Sequence, residues 1–323
     1  MSRETVSLGI IGAGIMGERM LNVVAAHADI PIRIAGIWDS SAASLERIAA
    51  KFPAVPLVAD ADALIAASAC VYVASPPASH LGYARRATAA GRSLFLEKPL
   101  AVDLAEARRF VDDADAVGAV NFPFASSPAV ATLAHWIAEG VVGTPRRLVI
   151  EVAFANWPRP WQADAAGWLD ARSEGGFTRE VVSHFLFLSR RLVGPLQELR
   201  GIADFPEPGR SERAIDATLH AGDVPVRVRG RVGGTRQDDH NTWTLEGDAG
   251  TVRLRDWSIA ERRRPDGLFE AAPDALPNDR ARLIALRRQL DGVVRMAHGE
   301  PHPLATFTEA WDVQRIVEDL VAA

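Results

Sequence analysis

The sequence predicts an α/β protein in which a doubly wound parallel sheet is followed by an α+β domain with an antiparallel sheet. Through residue 121, short apolar runs alternate with amphipathic runs, which is typical of βαβ units. A glycine-rich turn directly follows the first apolar run. From Leu148 onward, β-branched strands follow one another with turn residues between them, which favours antiparallel pairing. We therefore expect two domains, residues 1–121 and residues 122–323, and packing of the last helix back on the first domain stays open as an alternative.

The composition is typical of a globular protein that acts on small molecules. Of the 323 residues, 48% are hydrophobic, which allows a sizeable core in each domain. The net charge of −5 provides no overall attraction for nucleic acid or an anionic membrane, so we expect neither as a partner. No basic region with a long apolar segment opens the chain and no run reaches the length of a membrane span, so we expect a cytoplasmic protein. The single cysteine, Cys70, excludes an intrachain disulfide and is expected in the core.

The first predicted unit is a strand, Val6–Ile11, followed by a G-x-G-x-x-G turn and a helix from Ile15 to about Ala26. In this order Gly12 forms the tight turn, Gly14 allows close approach of a pyrophosphate, and Gly17 allows the helix to pack on the strand. The helix N-terminus offers free N–H groups to phosphates. A second strand, Ile32–Trp38, ends in Asp39, whose carboxylate can bond the hydroxyls of an adenosine ribose. This segment predicts a dinucleotide site.

The rest of the first domain continues the alternation of strands and helices, beginning with a helix capped by Ser40 or Ser41. The further predicted elements are a strand at Val55–Ala59, a helix at Asp62–Ala67, strands at Cys70–Ala74 and Ser93–Glu97 with a helix at Ser79–Ala90 between them, a helix at Asp103–Val117 and a strand at Ala119–Asn121. In such a sheet, ligands bind beyond the carboxyl ends of the strands.

Two of those strand ends carry chemically informative residues. Ser75 and Pro76 follow the strand that begins at Cys70, and His80 enters the next helix, where a structural hydrogen-bonding role is more common than a catalytic one. Glu97 and Lys98 follow the strand that begins at Ser93. The Lys98 ammonium is either a proton-exchanging group beside a substrate or a surface-loop lysine, and the local sequence favours neither.

The second domain contains a glycine-led helix that begins near Arg179. Glu180 and His184 are four residues apart and share one face of it, as an acid/base pair would, although such pairs are also common on solvated faces. His184 has no H-x-x-x-H partner and no cysteine ligands, so no metal site is predicted. Nearby tryptophans, including Trp157 and Trp161, either form a loop wall that stacks on a ligand or fill the core.

Several motifs taken together resemble the Gfo/Idh/MocA family of oxidoreductases: GIIGAGIMG, Asp39, PPASH, LEKPLA, GGFTREVVSH and the C-terminal EPHPLATFTEAWDVQRIVEDL. The resemblance implies a Rossmann domain and a second α/β domain whose large, mostly antiparallel, open-faced sheet often forms an oligomer interface, so a homodimer or homotetramer is expected. It also implies reversible hydride transfer between a nicotinamide and a hydroxyl-bearing carbon of a sugar, cyclitol or related small molecule.

The family's functional residues correspond to positions in this chain. The resemblance implies that Lys98 orients substrate and assists proton transfer, that His184 is the general acid/base, and that Glu180 stands where aspartate is usual. Glutamate reaches about one methylene further, so the geometry or the substrate could differ. Arg179 would pair with Glu180 or bind an anionic substrate group, and both alternatives stay open. The predicted substrate-contacting residues are Trp157, Arg159, Trp161 and Arg179.

The predicted cofactor is NAD rather than NADP, because Asp39 would repel a 2′-phosphate and Ser40 and Ser41 supply no cation. The predicted cofactor-binding residues are Gly12, Gly14, Ile15, Met16, Gly17, Asp39, Ser75, Pro76, His80, Glu97 and Lys98. Two alternatives to a dehydrogenase are a non-catalytic nicotinamide-binding sensor and an NAD-dependent, redox-neutral glycosidase.

Overall fold

The computed structural model describes residues 4–113 and 115–322, which form two compact units. The first unit extends to Ser126 and also takes in Leu283–Trp311. The second consists of Ser127–Arg282 and the residues from Asp312 onward. The first unit therefore includes a C-terminal segment of the chain.

The first unit contains a five-stranded, fully parallel sheet in the order β2-β1-β3-β4-β5. Its strands are β1 (Val6–Ile11), β2 (Ile32–Trp38), β3 (Cys70–Val73), β4 (Ser93–Leu96) and β5 (Gly118–Val120). Its crossover helices are α1 (Ile15–Ala26), α2 (Ala42–Lys51), α3 (Ala61–Ala67), α4 (His80–Ala89) and α5 (Leu104–Asp113). The order reverses between β1 and β3, which creates the switch point where ligands bind in such sheets. The predicted doubly wound sheet is confirmed.

One predicted strand of this unit is wrong. Val55–Ala59 forms only an isolated parallel bridge, in which Leu57 pairs with Ile37. Pro56 contributes its carbonyl oxygen to the Ile37 N–H at 2.9 Å, but as a proline it has no N–H to continue a ladder. The segment therefore lies beside β2 without extending the sheet.

The core of the first unit explains why a distant segment joins it. Strands β1 and β3 are almost fully buried, and their side chains pack with Leu286, Leu290 and Val293 of the long helix α9 (Asn278–Ala297). Residues at this spacing form an apolar stripe on one face of a helix. Burial of that stripe, at about 1.5–3 kcal/mol for each large side chain, accounts for the return of the chain to the sheet.

The second unit is built on an eight-stranded sheet in the order β13-β12-β11-β10-β6-β9-β8-β7. All neighbouring strands are antiparallel except β6 and β9, which pair in parallel. The strands are β6 (Pro145–Phe154), β7 (Leu196–Asp204), β8 (Ala214–Ala221), β9 (Val224–Val232), β10 (Asp239–Gly247), β11 (Thr251–Arg255), β12 (Ile259–Arg263) and β13 (Phe269–Ala271). The predicted large, mostly antiparallel sheet is confirmed.

The remaining helices are α6 (Pro128–Ala138), the short α7 (Ala166–Leu169), α8 (Ser183–Leu192) and α10 (Phe307–Ala322). A π-helical turn, Thr178–Val182, leads directly into α8. Among the described residues, no helix combines the length and the apolar character that a membrane crossing requires.

Candidate functional site

The glycine turn after β1 has the shape that the sequence predicts. Gly12 has φ +109°, and a Cβ there would lie 2.5 Å from the carbonyl carbon and oxygen of Ala74, so only glycine fits. A Cβ on Gly17 would lie 2.0 Å from the Gly12 oxygen, which explains the close packing of α1 on the turn. At Gly14, by contrast, a Cβ would meet nothing within 4 Å. Gly14 thus borders open space at the N-terminus of α1, where a pyrophosphate fits.

Asp39, at the end of β2, is held by the backbone of this turn. Its Oδ2 accepts a hydrogen bond from Ala13 N at 2.7 Å, and its Oδ1 accepts one from Ser41 N at 2.8 Å. Each carboxylate oxygen keeps acceptor capacity for a ribose hydroxyl. The Arg47 guanidinium of α2 donates to the carbonyl oxygen of Ala13 at 2.6 Å. Sequence reasoning considered only the serines beside Asp39 and missed this cation.

The first turn of α1 presents apolar atoms next to the glycines. Ile15 is one of the exposed large hydrophobic residues, with 38% of its surface accessible. Met16 is half-buried, and its sulfur accepts a hydrogen bond from Arg19 Nη1 at 3.5 Å. These two side chains provide an apolar surface beside the polar cradle, as the faces of a dinucleotide require.

The loop after β3 is held by hydrogen bonds rather than left flexible. The hydroxyl groups of Ser75 and Ser79 lie 2.7 Å apart, and Ser79 also donates to the Pro76 carbonyl. His80 is 1% exposed, with Nε2 2.7 Å from the Ser75 carbonyl oxygen and Nδ1 2.8 Å from that of Pro99. Burial lowers the pKa of His80, although the two carbonyls oppose that effect. The imidazole therefore ties two loops together, which favours the structural role.

Glu97 lies in a buried polar network at the end of β4. One carboxylate oxygen accepts hydrogen bonds from the Tyr72 hydroxyl and from Asn121 Nδ2, the latter at 2.6 Å. Asn121 in turn accepts one from Gln289 of α9 at 2.5 Å. Burial, followed by the charge of Glu97, raises the pKa of Tyr72. The network thus anchors Glu97, the residue directly before Lys98. Lys98 itself is half-buried.

Sequence reasoning predicted Glu97 but missed the other members of this network. Asn121 was recognised only as the end of a predicted strand, and Tyr72 as part of an apolar run. Gln289 lies 168 residues from Asn121, so no local spacing could have revealed that contact.

In the second unit, the helical segment that carries Glu180 and His184 is packed on nearly all sides. Between Phe177 and Ser189, every residue is buried except Glu180 and His184, which are half-buried. A solvated face would expose a whole stripe of the helix. Only these two positions of an otherwise buried segment are accessible. This pattern favours an acid/base pair over a Glu/His pair on a solvated helix face.

Contacts at both ends hold this segment in place. Phe177 packs over Gly230 of β9, where a Cβ would lie 2.4 Å from its ring. Trp243 of β10 donates from Nε1 to the Ser189 hydroxyl at 3.0 Å. Glu212, which is fully buried, accepts from Thr178 N at 2.7 Å, and burial raises the pKa of Glu212. Glu212 thus caps the first N–H group of the helical segment, that of Thr178.

Arg179 has structural partners within the same unit. Its guanidinium forms a bidentate pair with Glu318 of α10, at 2.8 and 2.7 Å. Its Nη1 donates to the carbonyl oxygens of Arg172 and Gly175 at 2.9 and 2.8 Å. A planar guanidinium with four such bonds is already held on several sides. The arrangement favours a structural role over either predicted alternative.

The predicted aromatic residues separate into one core residue and one surface residue. Trp157 is buried against Phe154 and Phe177, and its Nε1 donates to the Leu169 carbonyl at 3.2 Å. Trp161 is 45% exposed, with Arg159 stacked over its ring at 4.7 Å. Core filling therefore describes Trp157, whereas Trp161 keeps an accessible ring face.

Sequence reasoning also missed Trp257, which contacts His184. The two rings meet edge to face with centroids 5.6 Å apart. Trp257 follows Asp256 in the turn between β11 and β12, and both have positive φ, +72° and +46°. Such conformations cost non-glycine residues about 1–3 kcal/mol and often mark functional sites. A tryptophan in a position that favours glycine was a signal that the sequence alone could not display.

Comparisons with known proteins agree with this description. Residues 6–123 match the model of the Gfo/Idh/MocA oxidoreductase family, described as an NAD-binding Rossmann fold. Inositol 2-dehydrogenase of Cereibacter sphaeroides is 35% identical over 117 residues, which are 35% of this chain and 34% of that protein. The aligned part thus spans about a third of that curated relative.

Solved structures extend the likeness to the whole fold. An oxidoreductase from Agrobacterium radiobacter, in complex with NAD+, L-tartaric acid and magnesium, is 18% identical with a TM-score of 0.81, covering 98% of this chain and 95% of that one. The WlbA dehydrogenase from Bordetella pertussis, in complex with NADH and UDP-GlcNAcA, is 20% identical with a TM-score of 0.79, covering 99% and 97%. At these identities the similarity demonstrates a shared fold in both units.

Proposed function

We propose that the chain is a member of the Gfo/Idh/MocA family of oxidoreductases, whose model matches residues 6–123, and that it acts as an NAD-dependent dehydrogenase or reductase. Its substrate is a small molecule in which a carbon bears a hydroxyl group, such as a sugar or cyclitol. The observation that carries the proposal is the buried helical segment on which Glu180 and His184 alone are accessible. The glycine turn around Gly14, in the first unit, supports the cofactor-binding part of the proposal.

The cofactor-binding role falls to the residues around the glycine turn. Gly12, Gly14 and Gly17 shape the backbone that receives the pyrophosphate, and Asp39 receives the adenosine ribose. Ile15, Met16, Ser75 and Pro76 complete the walls by contact. NAD bound by these residues would supply the reversible hydride acceptor for the substrate carbon.

The catalytic roles fall to Lys98, His184 and Glu180. In the oxidative direction an imidazole nitrogen of His184 takes the proton of the reacting hydroxyl. The Lys98 ammonium donates a hydrogen bond to a substrate oxygen and stabilises the negative charge that develops there. Glu180, one helical turn before His184, orients the substrate and stabilises the protonated imidazole.

Site variants and a substrate screen test these roles. NADH formation is measured across polyols, sugars, sugar acids and aldehydes, and H184A and K98M are then assayed on the best substrate. Each variant should lose about 100-fold or more in kcat, in line with removal of a general acid/base or an oxyanion donor, while NAD affinity stays within about threefold. H135A is the matched control, because His135 is an exposed histidine of α6 that pairs with Glu139 just beyond the helix.

Three outcomes would contradict the proposal. Full turnover by H184A or K98M would remove these residues from the mechanism. Tight NAD binding with no turnover on any compound would favour a sensor. Release of a leaving group without net NADH would favour a redox-neutral glycosidase.

NAD is proposed over NADP because the Asp39 carboxylate would repel a 2′-phosphate. Arg47 lies near the same turn, but it also lies 3.7 Å from Glu18, so its charge is partly balanced. Titration should give an NAD affinity at least tenfold above that for NADP, and D39S should narrow the difference. Equal affinities in the wild-type protein would contradict this preference.

Assembly as a homodimer or homotetramer and a cytoplasmic location complete the proposal. The second sheet is large enough to form an interface, and a free thiol such as the buried Cys70 persists in a reducing compartment. Light scattering of the purified protein and fractionation of cells test these points, and a monomer or an exported protein would contradict them.

A further inference from the structure

The turn that joins β11 to β12, residues 255–258, has a backbone conformation that side chains disfavour. Ser258 N donates to the Arg255 carbonyl oxygen at 3.2 Å, and the two central residues, Asp256 and Trp257, both have positive φ. Hairpin turns of this kind favour Asn-Gly or Asp-Gly, because glycine adopts positive φ without strain. A tryptophan persists at such a position only where the surrounding contacts hold it there.

Asp256 joins this turn to the neighbouring strand β10. Its backbone N–H donates to the Asn241 carbonyl oxygen at 2.8 Å, and its Oδ1 accepts from Asn241 N at 3.3 Å. The same Oδ1 lies 2.8 Å from Nδ1 of His240, and Oδ2 accepts from Arg255 Nη1 at 3.1 Å. The backbone from which the Trp257 side chain projects is therefore fixed on β10.

The nitrogen end of the Trp257 indole is also held by β10. Nε1 donates to Asp239 Oδ2 at 3.4 Å, and in the amide orientation that pairs both ends of Asn241 it donates to the Asn241 oxygen at 2.9 Å. Asp239 is itself fixed by Arg159, which is buried and donates to the same carboxylate oxygen at 2.6 Å. These contacts restrict rotation of the indole.

The ring thus fixed lies against α8 at the proposed acid/base residue. Its centroid is 5.6 Å from that of the His184 imidazole, with the planes inclined by 75°, and 5.3 Å from that of the buried Phe185 ring. The χ2 angle of a histidine has a broad, roughly two-fold distribution, so the helix backbone alone does not decide which way the imidazole turns. An edge-to-face contact with a fixed ring favours one orientation.

We propose that Trp257 is a positioning residue for the reaction and holds the His184 imidazole in the orientation in which a ring nitrogen takes the hydroxyl proton. This inference rests on the proposed function, in which His184 is the general acid/base. Loss of the indole lowers the fraction of the protein whose imidazole is oriented for proton transfer. It therefore lowers kcat and leaves KM and NAD affinity nearly unchanged.

Kinetics of two variants on the best substrate of the screen test this role. W257L keeps apolar volume but removes the ring, so kcat should decrease about tenfold with KM within twofold of wild type. W257F keeps a ring and should bring kcat back to within threefold of wild type. W136L is the matched control, because Trp136 is a half-buried tryptophan of α6 in the same unit, and its kcat should stay within twofold of wild type.

NMR of protein that carries 13C-labelled histidine tests the contact without turnover, and the signals missing from H184A identify His184. In wild type, nuclear Overhauser effects should join the imidazole protons of His184 to the indole protons of Trp257. The ring current of the indole should also displace the imidazole signals, and W257L should lose that displacement. Because the wild type is measured directly, absence of the Overhauser effects would overturn the proposal even if W257L did not fold.

The kinetics would overturn the inference if W257L kept the wild-type kcat, or if W257L and W257F lost kcat equally. A tenfold rise in KM of W257L with unchanged kcat would instead make Trp257 a substrate contact. Failure of the proposed function is distinct. No turnover on any compound, with the Overhauser effects present, would contradict the dehydrogenase and leave the contact between the rings standing. A dehydrogenase in which W257L is as active as wild type would contradict only the positioning role.

Discussion

Replacement of Arg179 by methionine should lower the stability of the second unit by about 3 kcal/mol, the low end of the cost of breaking a buried ion pair. The Arg179 side chain is 9% exposed and that of Glu318 is 23% exposed. R179M removes four hydrogen bonds and leaves the Glu318 carboxylate without its cation. Because part of Glu318 can be hydrated again, the low end of the 3–5 kcal/mol range applies.

Calorimetry measures this loss as a shift in melting temperature. For a unit of this size, 3 kcal/mol corresponds to a decrease of about 6–12 °C. R262M is the control, since Arg262 pairs with Glu270 on the surface at 3.3 Å, a kind of pair worth less than about 1 kcal/mol. The double variant R179M/E318L removes both charges and should recover most of the lost stability.

The double variant also separates a structural role from substrate binding by Arg179. If the role is structural, R179M/E318L keeps the wild-type KM once it folds. A melting temperature of R179M within 2 °C of wild type would refute the energetic reasoning. A tenfold rise in KM of the stable double variant would instead place Arg179 in contact with the substrate.

Three further predictions concern stability. G17A should lower the free energy of unfolding by about 1–3 kcal/mol, because the added Cβ overlaps a backbone oxygen. G82A in α4, where the Cβ meets nothing, should raise it by up to about 1 kcal/mol. Urea unfolding measures both changes, and changes of the same sign would contradict the reasoning. N121L should lower the free energy of unfolding of the first unit by about 2 kcal/mol, because the hydrogen bond to Glu97 is lost. Thermal unfolding measures the loss, and no change in stability, as expected for a solvated amide, would contradict the prediction. E212Q should be more stable than wild type at pH 7, because burial raises the folded-state pKa of Glu212. The wild type therefore loses stability as the pH rises from the unfolded-state pKa, near 4.3, through the folded-state pKa. In melting curves the difference between the two proteins should vanish near pH 4, and a difference that is constant with pH would contradict the prediction.

The cofactor turn could be predicted almost completely from the sequence. The spacing of Gly12, Gly14 and Gly17 between an apolar run and a helix encodes a local backbone geometry, and the structure reproduces it with α1 starting at Ile15. The alternation of elements predicted the parallel sheet for the same reason. The prediction of a strand at Val55–Ala59 was wrong because it relied on apolar content and ignored the backbone N–H that Pro56 lacks.

The partners of the charged residues could not be predicted in this way. Arg179 lies beside Glu180 in the chain but pairs with Glu318, 139 residues away. Glu97 lies next to Lys98 but is bound by Tyr72 and Asn121. Spacing along a helix or strand identifies which side chains share a face, but it says nothing about which distant element packs there.

What the sequence by itself determined is therefore the local machinery: the glycine turn, Asp39, and the two positions Glu180 and His184 on one helical segment. Only the tertiary structure decided that these two are the accessible residues of that segment, that Trp257 lies against His184, and that Arg179 pairs with Glu318. The physical reason is that backbone geometry depends on near neighbours in the chain, whereas burial and charge pairing depend on which elements the fold brings together.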